Sequence, residues 1–242
     1  MTPVNGKFND VEITWLGHAA FQLKTPGGKT ILIDPWLDNP KAPEGAKDIS
    51  DVDIIAITHG HFDHVQGAPE LAKKTDAKVV SIFEIAQYFG GHGVNEDNLV
   101  GMNIGGTAEV DGIKFSMTPA IHSSGLPGDD GIIEGGHPAG FIIEFENGYK
   151  VYHTGDTDYF GDLEHIGEFY EPDVMLTCIG DHFTMGPRAA AKAIQAVQPD
   201  HVIPMHYGTF PLLTGTPEAL IEHLPEVMKK SVTVAEPGKA IS

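Results

Sequence analysis

The sequence predicts an α+β fold, a four-layer αββα sandwich in which two sheets face each other and helices cover them. Three observations carry this expectation. Short β-like runs recur in both halves of the chain and alternate with helix-compatible segments, as layered folds require. The 242 residues are 41% hydrophobic, enough to bury a large core without disulfides or oligomerisation. Residue types that bind metals gather directly behind apolar runs, which places a site at strand ends.

The first half opens with "VEITWLG" (11–17), "AFQLKT" (20–25) and "TILIDP" (30–35), and "PGGK" before the third supplies turn chemistry for an antiparallel meander. "DIIAIT" (53–58) is continuously apolar, the pattern of a strand buried on both faces, and the stretch 66–74 behind it suits a helix. "KVVSIF" (78–83), a helix around 84–89 and "KFSMTPA" (114–120) complete this half. In the second half, "AGFIIEFENGYKVYHTGD" (139–156) reads as a hairpin with Asn147-Gly148 at its turn. Helical "FGDLEHIGEFY", strand "DVMLT" (173–177), helix "GPRAAAKAIQAV" with Pro187 in its first turn, strand "HVIPMH" (201–206) and a helix near 217–229 follow. Between the halves, "SSGLPGDDGIIEGGHPAG" (123–140) reads as a long glycine-rich loop. No low-complexity linker interrupts the chain, so one domain over 1–242 is expected, with pseudo-symmetric halves of about 1–122 and 123–242.

Charge and cysteine usage narrow the function. Asp and Glu number 34 against 15 Lys and Arg, a formal charge of −19 that would repel a polyanion, so nucleic acid is not an expected partner. The N-terminal "MTPVNGKFND" has no apolar core and no run approaches the ~20 residues of a membrane span, so a soluble, cytoplasmic protein without membrane partners is expected. The single cysteine, Cys178, excludes an intramolecular disulfide and thiolate clusters and reads as an inert buried thiol. Any metal must therefore sit on nitrogen and oxygen, and histidine is abundant at 13 residues.

"ITHGHFDHV" (57–65) concentrates such ligands after the apolar "DIIAI". Alternate residues of an extended segment point the same way, so His59 and His61 can reach one metal while Asp63 and His64 turn toward a second. Burying four such groups without metal would leave several polar atoms to satisfy. Imidazole and carboxylate ligands suit two divalent ions, zinc first, with manganese, iron or nickel as alternatives.

"THGHFDH" behind an apolar strand resembles the signature of the metallo-β-lactamase superfamily. His122 in "TPAIHSS", Asp156 in "YHTGDT" and His206 in "IPMHYGTFP" resemble that family's third, fourth and fifth motifs, in order. More narrowly, "WLGHAAF", "ILIDPW", "GHPAGF", "HTGDT", "IGDHFTMGP" and "VIPMHY" are similar to the metal-dependent hydrolases related to ascorbate-phosphate lactonase, over about Val11 to Glu236. The resemblance implies the αββα fold with its site on one edge. It implies His59, His61 and His122 on a first metal, Asp63, His64 and His206 on a second, and Asp156 bridging. It also implies hydrolysis by a metal-bridging hydroxide, with a small ester-type substrate, a lactone, phosphorylated or not, favoured over other classes. A phosphodiesterase acting on a small or cyclic nucleotide is the alternative. A di-iron redox protein is less favoured, because members of that kind resemble the pattern with an acidic residue in place of His61 and carry a flavin domain. A non-catalytic metal-binding protein fits poorly with a complete ligand set. Asp156 stands where many zinc β-lactamases have cysteine, which points away from β-lactam hydrolysis.

Other residues are candidates of a second rank. Asp63, His18 and Tyr207 are the catalytic candidates: Asp63 to orient the nucleophile, His18 either to reach over the pocket or to sit in the core, Tyr207 either to donate to an oxyanion or to pack its ring. Asp34, behind an apolar strand, and His153, three residues before Asp156, are expected to support ligating side chains by hydrogen bonds. His137, His182 and Arg188 are the substrate-binding candidates, the first two in glycine-rich loops and the third near a helix N-terminus. His92, His165, His201 and His223 read as structural or exposed. Oligomeric state, a homo-oligomer included, is open.

Overall fold

The computed structural model describes residues 8–242. The expectation that "MTPVNGK" carries no apolar leader falls outside them. From the N-terminus the strands are β1 (Glu12–Trp15), β2 (Phe21–Lys24), β3 (Thr30–Ile33), β4 (Ile54–Ile57), β5 (Lys78–Ile82), β6 (Leu99–Met102), β7 (Thr107–Val110), β8 (Ile113–Pro119), β9 (Gly125–Gly128), β10 (Gly131–Glu134), β11 (Ala139–Glu144), β12 (Lys150–His153), β13 (Val174–Cys178), β14 (His201–Met205) and β15 (Ala240–Ile241). The α-helices are α1 (Phe62–Val65), α2 (Ala68–Thr75), α3 (Phe83–Gly91), α4 (Leu163–Tyr170), α5 (Pro187–Val197) and α6 (Pro217–His223). One sheet runs β15-β1-β2-β3-β4-β5-β6 and the other β14-β13-β12-β11-β8-β7, with β9 and β10 forming a separate hairpin.

Each sheet mixes an antiparallel and a parallel part. β1, β2 and β3 form the expected meander, and β4, β5 and β6 then add in parallel, each crossover filled by helix or loop. β8, β11 and β12 are antiparallel, and β13 and β14 add in parallel. Strands β3, β4 and β13 are buried along their whole length, which explains their unbroken apolar composition. A continuous apolar core draws on both sheets, with Trp15, Phe21, Phe115, Phe141 and Tyr152 among its largest members. On the outside, α5 follows Pro187 at its start and buries an alanine-rich face of Ala190, Ala191, Ala193, Ile194 and Val197. Gly167 in α4 lets that helix close on α5: a Cβ there would lie 2.5 Å from the Val197 carbonyl oxygen. The architecture is the α+β sandwich expected from the sequence.

Several boundaries differ for identifiable reasons. The last helix ends at His223 instead of running to 229, because Pro225 disfavours helical backbone at Leu224. The helix expected over 66–74 is α2, which starts after Gly67 (φ 79°), and the single turn α1 ahead of it was not expected. The glycine-rich stretch 123–140 contains the β9–β10 hairpin, whose Gly and Pro content hides it from propensity. At the turn of the 139–156 hairpin, Gly148 takes a left-handed φ (81°) while Asn147 does not, and the Gly148 N–H donates to Phe145 O at 2.9 Å. This is a three-residue loop with a glycine bulge, not a two-residue Asn-Gly turn.

Candidate metal centre

The ends of strands from both sheets converge on one edge. Behind β4, Thr58 to His61 lead into α1, which carries Asp63 and His64; His122 follows β8, Asp156 follows β12 and His206 follows β14 directly. Backbone hydrogen bonds tie these segments across the sandwich. Gly60 N–H donates to Ser124 Oγ at 3.1 Å and Ala139 N–H to Thr58 O at 3.0 Å. Ile121 N–H donates to Thr157 Oγ1 at 2.9 Å, and Asp158 N–H to Ile121 O at 3.1 Å, locking the His122 and Asp156 segments together. Three residues here, His18, Asp34 and His206, hold left-handed backbone (φ 54°, 46° and 56°). Such conformations cost of order 1–3 kcal/mol each and persist where the surroundings over-determine them.

The side chains form two groups that share one carboxylate. In the first, His61 Nδ1 lies 3.0 Å from His59 Nε2 and 3.2 Å from His122 Nε2. Ligands about 2.0–2.1 Å from a tetrahedral ion stand about 3.3 Å from each other, so these nitrogens sit near ligand–ligand spacing. In the second, His206 Nε2 and His64 Nε2 lie 3.8 and 3.9 Å from Asp63 Oδ2. Asp156 Oδ2 faces both groups: it is 2.9 Å from His206 Nε2, 3.4 Å from His64 Nε2, 3.8 Å from His122 Nε2 and 4.0 Å from His59 Nε2.

These residues fit a metal on the chemistry of their unpaired atoms. His64 Nε2, Asp156 Oδ1 and both ring nitrogens of His206 are buried without a hydrogen-bond partner, and the close approach of His206 Nε2 to Asp156 Oδ2 is not aligned as a hydrogen bond. Leaving each such atom unsatisfied costs about 1–3 kcal/mol, and a divalent cation between the groups would supply the missing partner. Asp34 prepares one nitrogen in each group. Its carboxylate accepts from Thr58 N–H at 2.8 Å, Thr58 Oγ1–H at 2.6 Å and His64 Nδ1–H at 2.8 Å. With its proton given to Asp34, Thr58 Oγ1 is left to accept from His59 Nδ1–H at 3.0 Å. Both imidazoles therefore turn Nε2 toward the centre, the atom that would bind a metal. Asp34→Asn replaces an acceptor by a donor in this network, and the expected result is a loss of metal affinity of about 10–100-fold, read by competition with a chelating dye.

Electrostatics divide the imidazoles. Burial, with the charge of His64 behind it, holds His59 well below its ordinary value, and burial likewise lowers His61 and His122; all three stand in the neutral, ligating form. Burial also opposes charge on His64 and His206, but the carboxylates win: Asp156, Asp34 and Asp63 hold His64 well above its usual range, and Asp156 pushes His206 up to about 9. Asp63 and Asp156 are held low despite burial, chiefly by His64 and His206 respectively.

The remaining predicted residues separate into neighbours and bystanders. His18 is fully buried, its Nε2 2.9 Å from Asp63 Oδ2 and its Nδ1 2.9 Å from Thr209 Oγ1, and burial lowers it to about 4. It holds Asp63 from behind and does not reach over the pocket. His153 donates from Nε2 to Ala19 O (3.1 Å) and accepts Gly155 N–H at Nδ1 (3.1 Å), so it sets the backbone one residue before Asp156. His137 lines a cleft of about 460 Å³ together with His61 and His122. Tyr207 does not bring its ring to the cluster: it stacks on Trp15 at 5.3 Å with the Lys41 ammonium 4.8 Å above it, so packing takes the side chain. His182 is exposed against Phe183, and Arg188 is exposed on a different cleft shared with Asp181 and Lys192, so neither joins the site where the sequence reading put them. Thr58, Ser124, Thr157 and Thr209 position the cluster but escaped the sequence reading; their one signal is a hydroxyl within three residues of a candidate ligand.

Comparison with known proteins shows the family and the fold. A family described as the beta-lactamase superfamily domain matches residues 29–207. A protein of Rubrobacter xylanophilus named as a metal-dependent hydrolase is 50% identical over 232 residues, 95% of each chain, and one from Roseiflexus with the same description is 44% identical over 96% of this chain and 98% of its own. The solved structure of a metallo hydrolase from the archaeon Ignicoccus hospitalis superposes with a TM-score of 0.83 at 37% identity, covering 96% of this chain and 97% of that one. With its sandwich, its edge cluster and these matches, the chain belongs to the β-lactamase superfamily, within the branch of metal-dependent hydrolases.

Proposed function

We propose that this protein is a dinuclear metal-dependent hydrolase acting on a small ester-type substrate, a lactone first. The observation that carries the reading is Asp156 Oδ2, which faces a nitrogen of each ligand group within 4.0 Å. His59, His61 and His122 would hold one ion, Asp63, His64 and His206 the other, with Asp156 between them. Zinc is favoured by the nitrogen-rich first group; manganese, iron and nickel suit the same donors. Bound there, two divalent ions supply water acidified toward neutrality and a Lewis acid for the attacked carbonyl.

The chain's own groups account for positioning and proton transfer. Asp63 is the more accessible of the two central carboxylates, 13% exposed against 2% for Asp156. It is held ionised chiefly by His64 and oriented by the His18 Nε2–H, so its role is to orient the nucleophile and relay its proton to the leaving alkoxide. Ser123 Oγ, 3.3 Å from His61 Nε2, lies at the cleft and can donate to a substrate oxygen. A cytoplasmic location agrees with a single cysteine that is free and buried.

The test is a panel of lactones, thioesters, phosphoesters and β-lactams run on metal-quantified protein, with Asp63→Asn beside it. Lactone hydrolysis is expected in the wild type, with kcat/KM lower by about 10²–10⁴-fold in the variant. Cleavage of a cyclic nucleotide without lactone hydrolysis would move the assignment to a phosphodiesterase. Bound metal with no turnover on any member would leave a binding protein.

A further inference from the structure

We propose that the substrate is an uncharged or cationic ester or lactone whose apolar portion lies on the β9–β10 hairpin, and that phosphorylated or carboxylate-bearing esters are disfavoured; this rests on the hydrolase reading above. The cleft that reaches His61 and His122 is walled on its far side by Ile132, Ile133 and Glu134. No lysine or arginine lines it, and Glu134 is its one side chain with a full formal charge. A second carboxylate borders the same rim: Glu84 Oε2 would be 2.6 Å from a Cβ on Gly136, a residue of the cleft wall. Asp129 and Asp130 occupy the hairpin tip. Apart from the metal ions themselves, an anionic substituent lying along the hairpin meets carboxylates with no lysine or arginine of the cleft to offset them. Lys41, the cation on the His206 flank, turns its ammonium to the rings of Tyr207 (4.8 Å) and Trp15 (5.7 Å). Arg188 lines another cleft.

The hairpin is built to hold an apolar surface beside the ligands. Leu126 of β9 is buried directly on the metal loop: a Cβ on Gly60 would lie 2.8 Å from Leu126 Cγ. The Tyr88 hydroxyl donates to Pro127 O at 3.1 Å and pins the same strand from α3. β10, in contrast, is exposed throughout, and leaves Ile132 at 85% and Ile133 at 47% of full exposure next to the site. Two β-branched side chains in water, on a hairpin anchored to the metal loop, gain from being covered, and an alkyl chain on the substrate covers them. The reaction itself is balanced by water: its oxygen bonds to the acyl carbon, the acyl C–O bond breaks, one proton goes to the departing alkoxide and the other leaves with the acid.

The experiment compares three matched lactone series on metal-quantified, full-length protein: plain alkyl side chains, the same chains ending in an ammonium group, and the same ending in a phosphate. Expected are kcat/KM values about tenfold or more lower for the phosphate series, and a KM that falls about threefold per added methylene in the alkyl series until the hairpin is spanned. Ile132→Ser should raise KM for the long alkyl members more than for the shortest, and Glu134→Lys should shrink the penalty on phosphate. Hydrolysis that prefers the phosphate series, or a chain-length dependence untouched by Ile132→Ser, overturns this inference and leaves the hydrolase reading standing. No turnover in any series with metal bound overturns both.

Discussion

Asp156→Ala is expected to remove hydrolysis and metal together. Its Oδ2 is within 4.0 Å of Nε2 on His59, His64, His122 and His206, so one truncation strips the shared carboxylate from both ligand groups. What remains is two imidazoles whose protons this carboxylate stabilises, facing each other in a buried space. The loss in kcat/KM should be about 10³-fold or more, since positioning and electrostatic stabilisation fail at once. Metal analysis of the purified variant, alongside its kinetics, provides the check. Normal metal content with full activity would sink the assignment of Asp156, and normal content with lost activity would confine its role to catalysis.

Stripping the metal from the intact protein should have the largest effect on stability. His59, His61, Asp63 and His64 stand on one sheet's edge, and His122, Asp156 and His206 on the other's, so ions held between them would clamp the two layers that enclose the core. Two sites each filled at about 100 times Kd contribute roughly 5 kcal/mol, which for a chain of this size corresponds to a fall in Tm of about 10–20 °C on chelation. Calorimetry with and without a chelator reads this directly; an unchanged Tm after verified metal loss would refute the clamp.

The metal-free state should also respond to pH in a defined direction. His64 and His206 are raised above the ordinary imidazole value of about 6.5, so the stability they contribute is present below that value and disappears as pH rises, through about 9 for His206. Asp63 and Asp156 are lowered, so their contribution is present above about 3.9 and is lost only in stronger acid. Metal uptake at neutral pH must displace the imidazole protons, and a weakly buffered titration should register about one to two protons released.

Much of this was legible in the chain. The strands β3, β4, β13 and β14 announce themselves as apolar runs because a strand buried on both faces cannot alternate, and "HGHFDH" stands out because three histidines and an aspartate in six residues have no bland use at the end of such a strand. Asp34 was legible too, since a carboxylate after "TILI" needs partners wherever the chain goes. The β9–β10 hairpin was not: its glycines and proline carry no strand propensity, and it exists because Leu126 finds a seat on Gly60.

Local sequence therefore determined most of the elements, though not β6, β7, β9, β10 and β15, and the candidate ligand types with their order, because periodicity and side-chain chemistry act over a few residues. Only the tertiary structure decided how residues 59, 122, 156 and 206 share one centre, that Asp34 aims His64 directly and His59 through Thr58, and that His18 stands behind Asp63 while Tyr207 turns away to Trp15. Those outcomes depend on how two sheets pack, and packing is a property of surfaces assembled from distant parts of the chain, which no local pattern encodes.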